Sequence, residues 1–158
     1  MGKINMQKVL IGGLIAGVVL NVIDFVVFSM ILKDQMAAAM TALGKPTTPT
    51  TSQMISLVVL DFVVGVFLVW LYAAVRPRFG AGPATAAKAG VAAWFVGSLL
   101  VNVFMGILQI WPQNFLIIGA LIGLVEWPLA TVIGAKFYTE GAGMGAGMGA
   151  GAGMGARM

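Results

Sequence analysis

Apolar residues run along the chain in four long blocks, separated by short stretches where Lys, Arg, Pro, Gly and Thr collect. The blocks extend roughly from Lys8 to Leu32, Gln53 to Val75, Ala86 to Ile110 and Phe115 to Tyr138. Each reaches or exceeds the ~20 residues that an α-helix needs to cross the hydrocarbon core. Each therefore predicts a spanning helix, and the expected fold is an all-α polytopic membrane protein, a four-transmembrane-helix bundle over residues 1–140. A signal peptide is the rival reading of the first block, because Lys3 and Lys8 precede it and Ala37 to Ala39 mimic a cleavage site. The block is well beyond the ~7–15 residues of a signal core and carries Asp24, so a retained helix is expected.

The connections carry their own signals. After the first block, Asp34 to Leu43 reads as a short helix and Lys45 to Thr51 as an extended Pro- and Thr-rich stretch, with Ser52 or Thr51 offering an N-cap. Arg76-Pro77-Arg78-Phe79-Gly80-Ala81-Gly82-Pro83 reads as a loop, with Thr85 placed to cap the next helix. Trp111-Pro112-Gln113-Asn114 is tight, which makes the last two helices antiparallel neighbours. After Glu140 the chain becomes Gly-Ala-Gly-Met repeats, and 141–158 reads as a flexible low-complexity tail. Met144 and Met148, like Met154 and Met158, are spaced four apart and carry soft thioethers. Without preorganised geometry they do not amount to a metal site.

Composition narrows the chemistry. Hydrophobic residues make up 60% of the 158 and charged residues 9%, a balance foreign to water-soluble domains. There are no cysteines and no histidines. Thiolate chemistry, the usual neutral-pH general base and the commonest transition-metal ligands are thus excluded, and neither a cofactor nor an enzyme is expected. The formal net charge of +4 does not point to nucleic acid, because the basic residues sit between the apolar blocks. Lys3, Lys8, Arg76, Arg78, Lys88, Lys136 and Arg157 fall on one side, against Lys33 and Lys45 on the other. By the positive-inside rule both termini are expected in the cytoplasm, with the chain in the cell inner membrane. Arg76, Arg78 and Lys88 are the candidate contacts to lipid headgroups. Trp111, Trp70, Tyr72 and Tyr138 fit interfacial belts, whereas Trp94 and Trp127 lie deeper.

Three of the five acids, Asp24, Asp61 and Glu126, lie within the blocks, joined there by Asn21 and Asn102. Counted along each helix, all five fall roughly 12–17 Å below the outer boundary. Small residues continue their stripes, as in Gly13, Gly17, Asn21, Asp24 and in Gly119, Gly123, Glu126, Ala130, Gly134. Such stripes let helix backbones approach, so these polar groups are expected to face one another. No lysine or arginine shares their layer, and Pro128 frees a backbone carbonyl near Leu124 beside Glu126. One reading is a structural network in which protonated acids and amides hydrogen-bond across the bundle. The other is a proton or cation site with oxygen ligands. Asn21 matching Asn102, and Asp61 matching Glu126, also suggest two repeated helical hairpins.

The run Trp70-Leu71-Tyr72-Ala73-Ala74-Val75-Arg76-Pro77-Arg78-Phe79-Gly80, with Gly82-Pro83 and Thr85-Ala86 after it, resembles uncharacterised small bacterial four-helix integral membrane proteins. The likeness extends from Lys8 to Glu140, and no functional residue carries over from it. The function expected from the residues is a non-catalytic accessory or structural subunit. Its partners would be membrane lipids and other membrane-protein subunits or further copies of itself. A proton or cation transporter component using the buried carboxylates is the alternative.

Overall fold

The computed structural model describes residues 4–140. The tail 141–158 with its paired methionines, and the orienting charges Lys3 and Arg157, lie outside the described residues. Within them all regular structure is helical: α1 (Met6–Ile31), α2 (Lys33–Ala42), α3 (Thr51–Phe79), α4 (Pro83–Ile107) and α5 (Gln113–Ala135). All but α2 are long and apolar enough to cross a bilayer, and the chain is a multi-pass helical membrane protein.

End chemistry, more than hydropathy, sets the helix limits. α3 is capped by Thr50 in place of Ser52 or Thr51. The Thr50 Oγ1 accepts from the Gln53 N–H at 3.3 Å and Gln53 Oε1 accepts from the Thr50 N–H at 2.8 Å, a closed capping box. At its other end α3 runs on through Arg76, Pro77, Arg78 and Phe79, which the sequence reads as loop. Pro77 leaves the Ala73 carbonyl without its helical donor in the final turn, and Gly80, at φ 85°, ends the helix in a conformation that side chains resist. Thr85 is not the cap of α4. Pro83 opens that helix behind Gly82, and Thr85 Oγ1 donates to the Phe79 carbonyl at 3.2 Å, stitching the start of α4 to the end of α3. α4 stops short of Ile110 because Gln109 turns to φ 52°. α5 ends before Tyr138, in a tightened turn where Lys136, Phe137 and Tyr138 each bond three residues back.

α1 and α4 each contain a π turn, Val27–Ile31 and Phe95–Leu99. A π turn inserts one residue into the helical register and rotates everything beyond it.

The spanning helices form two antiparallel hairpins, α1 with α3 and α4 with α5, and α5 also lies against α1 and α3. Glycine sets the spacing. A Cβ on Gly65 of α3 would strike the backbones of Gly13 and Gly17 on α1. Between the hairpins, a Cβ on Gly12 would lie 2.5 Å from the Gly134 carbonyl oxygen, and one on Gly134 would lie 2.6 Å from that of Gly12. Within the second hairpin, Gly90 rests on the backbone of Pro128. In lipid such contacts replace the hydrophobic effect as the force between helices, since tails are as apolar as leucine.

On α3 and α4 this close packing is confined to one half, while α1, α2 and α5 keep Val27, Leu32, Ala39, Leu116 and Ala120 buried at the other end as well. Val9, Ala16, Leu68, Val69, Ala86 and Ala130 are buried toward the end where Met6, Phe79, Pro83 and Ala135 lie, here called the terminal end. Toward the opposite, far end, no residue from Thr51 to Leu60 is buried, and none in Phe95–Ile107.

Candidate intramembrane polar site

Asp61 sits where α3 passes from its buried half to its exposed one, whereas Asp24 and Glu126 have buried residues on both sides along their own helices. Asp24 follows Ala16, Gly17 and Leu20 along the inward stripe of α1, Asp61 lies one turn beyond Gly65 on α3, and Glu126 lies between Gly123 and Ala130 on α5. Glu126 keeps 6% of its surface exposed, while Asp24 and Asp61 are half-buried. The three carboxyls come from three different helices. They do not converge closely enough to act as joint ligands: among the described residues no group of three His, Cys, Asp or Glu could hold a metal ion.

The amides are spent elsewhere. Asn21 Nδ2 donates to the Gly17 carbonyl at 2.9 Å and across the helix pair to the Val58 carbonyl at 3.3 Å. Asn102 Nδ2 reaches only Ser98 Oγ, one turn back on its own helix, at 3.5 Å. Among the described residues, none donates a hydrogen bond to the carboxyls of Asp24, Asp61 or Glu126. The expected acid–amide network across the bundle is therefore not formed. Asn21 instead ties α1 to α3, and Asn102 bonds within its own helix.

The likeness of the two hairpins extends beyond those polar pairs. Asp61 and Glu126 are each followed by an aromatic residue that covers a glycine on the partner helix: Phe62 lies over Gly17 at 2.5 Å from its notional Cβ, and Trp127 over Gly97 at 2.8 Å. Asn21 comes four residues after Gly17 and Asn102 five after Gly97. The extra residue falls in the π turn Phe95–Leu99.

The deep tryptophans serve the core of the second hairpin. Trp94 Nε1 donates to the Ala120 carbonyl at 3.0 Å, crossing from α4 to α5, and its ring borders Gly123. Comparisons with protein-family models, curated proteins and solved structures give no match to this chain.

At the terminal end, Arg78 and Lys88 are exposed, as headgroup contacts would be. Arg76 is turned onto the protein instead. Its NH1 lies 3.7 Å from Glu140 Oε1, and its guanidinium carbon stands 5.6 Å from the centre of the Tyr138 ring. Around it is a latch the sequence reading missed. Tyr138 Oη accepts from the Asn5 N–H at 3.4 Å, Tyr72 Oη accepts from the Gly82 N–H at 3.2 Å, and the two rings meet edge-on at 6.0 Å. Both tyrosines are buried, which sequence does not signal, since an interfacial tyrosine looks alike there. Tyr138→Phe is expected to lower stability in detergent by about 1 kcal/mol, through loss of the bond from Asn5. Tyr138→Ala is expected to cost about 3 kcal/mol, through loss of the ring as well. Thermal unfolding of the two variants side by side reads both; equal losses would mean that the hydroxyl does all the holding.

Proposed function

We propose that the chain is a non-catalytic accessory subunit of the inner membrane, with both termini in the cytoplasm, that binds other membrane helices through its far half. The observation that carries this reading is the uncovered length of α3 from Thr51 to Leu60. There the inward stripe of Met54, Leu57 and Val58, which continues Asp61 and Gly65 at helical spacing, lies bare. A stripe that is buried at one end of a helix and open at the other fits a bundle completed by a further element. Lipid tails and a second copy of the chain are the other occupants of that surface. The bias of Lys8, Arg76, Arg78, Lys88 and Lys136 toward the terminal end supports the orientation. Gentle solubilisation from native membranes, followed by size and composition analysis, tests the reading. A larger, stoichiometric complex is expected, and a solitary monomer would refute it.

A second reading, a proton or cation transport component, is favoured by the carboxyls that lack partners. It requires a larger assembly, since four helices enclose little on their own. Vesicles holding the parent would then carry a flux that the Asp61→Asn, Glu126→Gln double variant loses.

A further inference from the structure

Among the described residues, only Arg76 has a buried side-chain nitrogen or oxygen that finds no hydrogen-bond partner. That guanidinium nitrogen lies 3.7 Å from Glu140 Oε1, close enough for charge attraction but beyond the ~2.7–3.2 Å of a hydrogen bond. The Tyr138 ring stands on another side of the guanidinium, 5.6 Å from its carbon. A buried donor left unpaired is costly, so the arrangement is closed without being satisfied. Its cover is light. Residues 138–140 lie outside regular structure, and the Glu140 side chain is 39% exposed, where an ion pair holds weakly. Glu140 can swing away while Tyr138 stays seated, because the Tyr138 ring is buried against Tyr72 and its hydroxyl takes the Asn5 N–H.

The charges of the terminal end act to part this pair. Lys8, Arg78, Lys88 and Lys136 lie there, and Glu140 is the only one of the five acids on that side. An anionic lipid surface met by this end attracts the Arg76 guanidinium and repels the Glu140 carboxylate at the same time. A phosphate also offers what Glu140 at 3.7 Å does not, two oxygens at bonding distance in the plane of the guanidinium. Arg76 is one turn inside the end of α3, and its long stem can carry its charge to the headgroups. We propose that Arg76 is a gated phosphate site: Glu140 shuts it in a neutral membrane, and the phosphate of an anionic phospholipid displaces Glu140 and takes the guanidinium. Arg78 and Lys88, exposed throughout, need no such gate. The inference concerns the terminal end and stands apart from the accessory reading, which concerns the far half.

The full chain in phosphatidylcholine vesicles tests this. Because the chain has no cysteine, Phe79→Cys gives a unique site for a fluorophore, one turn beyond Arg76 at the end of α3. Trace phosphatidylglycerol or phosphatidylcholine, each with a quenching spin label high on an acyl chain, then reports which lipid stands beside it. Glu140→Gln is expected to raise the preference for phosphatidylglycerol about fivefold, the worth of one basic residue freed at an anionic surface. In an Arg76→Gln background the same change is expected to do nothing, whereas in an Arg78→Gln background it keeps its full effect, as it must if Arg76 and Glu140 act as a unit. A rise of equal size in the Arg76→Gln background would mean that Glu140 acts through net charge alone, and the inference fails. No rise in the parent background overturns it too, and that arm needs no change at Arg76. Circular dichroism and elution volume check folding; where Arg76→Gln does not fold, Arg76→Met, which keeps an apolar stem, takes its place. Inorganic phosphate at matched ionic strength is expected to leave the lipid preference intact. Its loss would make free phosphate the ligand and overturn the assignment to lipid.

Discussion

Gly65→Leu is expected to open the first hairpin, while Gly119→Ala leaves the protein as stable as before or slightly more so. Both are glycines in spanning helices, and their surroundings separate them. At Gly65 the added atoms would meet the backbones of Gly13 and Gly17, which cannot rotate aside as a side chain can, so α1 and α3 have to part along their whole contact. Overpacking of an adaptable core costs about 1–3 kcal/mol, and backbone against backbone belongs at or above the top of that range. At Gly119 a Cβ meets nothing within 4 Å, so alanine removes only the excess freedom of glycine, a gain of about 0.5–1 kcal/mol. Thermal unfolding of the two variants in one detergent reads the contrast. A similar loss at both sites would mean that the glycine seam does not hold the hairpin, and the packing described for α1 and α3 would be wrong.

The four spanning helices were legible because hydropathy over twenty residues leaves a chain few choices. The breaks at Pro46, Pro49 and Pro112 were legible because proline acts locally, although the helices start inside the expected connections, at Thr51 and Gln113. What sequence could not supply was rotation. Asn102 was expected to face the other polar groups, but its amide ends on Ser98 in its own helix, beside the π turn at Phe95–Leu99 that the sequence does not announce. No composition signal marks such a turn in advance. Arg76 was misplaced for a related reason. Following a block that reads as complete at Val75, it looks like a surface charge, but α3 continues to Phe79 and carries it against Tyr138. That the acids lie inside the spanning helices was legible, whereas their lack of donors depends on where each amide turns, which is a property of packing.

The second large effect is expected between the hairpins. Gly134→Leu should separate α1 from α5 while leaving each hairpin intact, because each has its own connection and its own close contacts, Gly65 against Gly13 and Gly17 in one and Gly90 against Pro128 in the other. The seam between them depends on the reciprocal approach of Gly12 and Gly134, where each backbone carbonyl occupies the place of the other's missing side chain. A leucine there forces the axes toward the ~8–10 Å usual when side chains intervene. Spin labels on cysteines placed at exposed Ile11 of α1 and Leu129 of α5 report the distance between hairpins, and labels at Ile11 and exposed Phe67 of α3 report the distance within one. The first distance should lengthen and broaden while the second holds. If both move together, the bundle is one cooperative unit and its description as two hairpins fails. If they separate, the acids of α1 and α3 move away from Glu126 of α5. The relative position of these acids would then depend on a glycine contact well over a helical turn away.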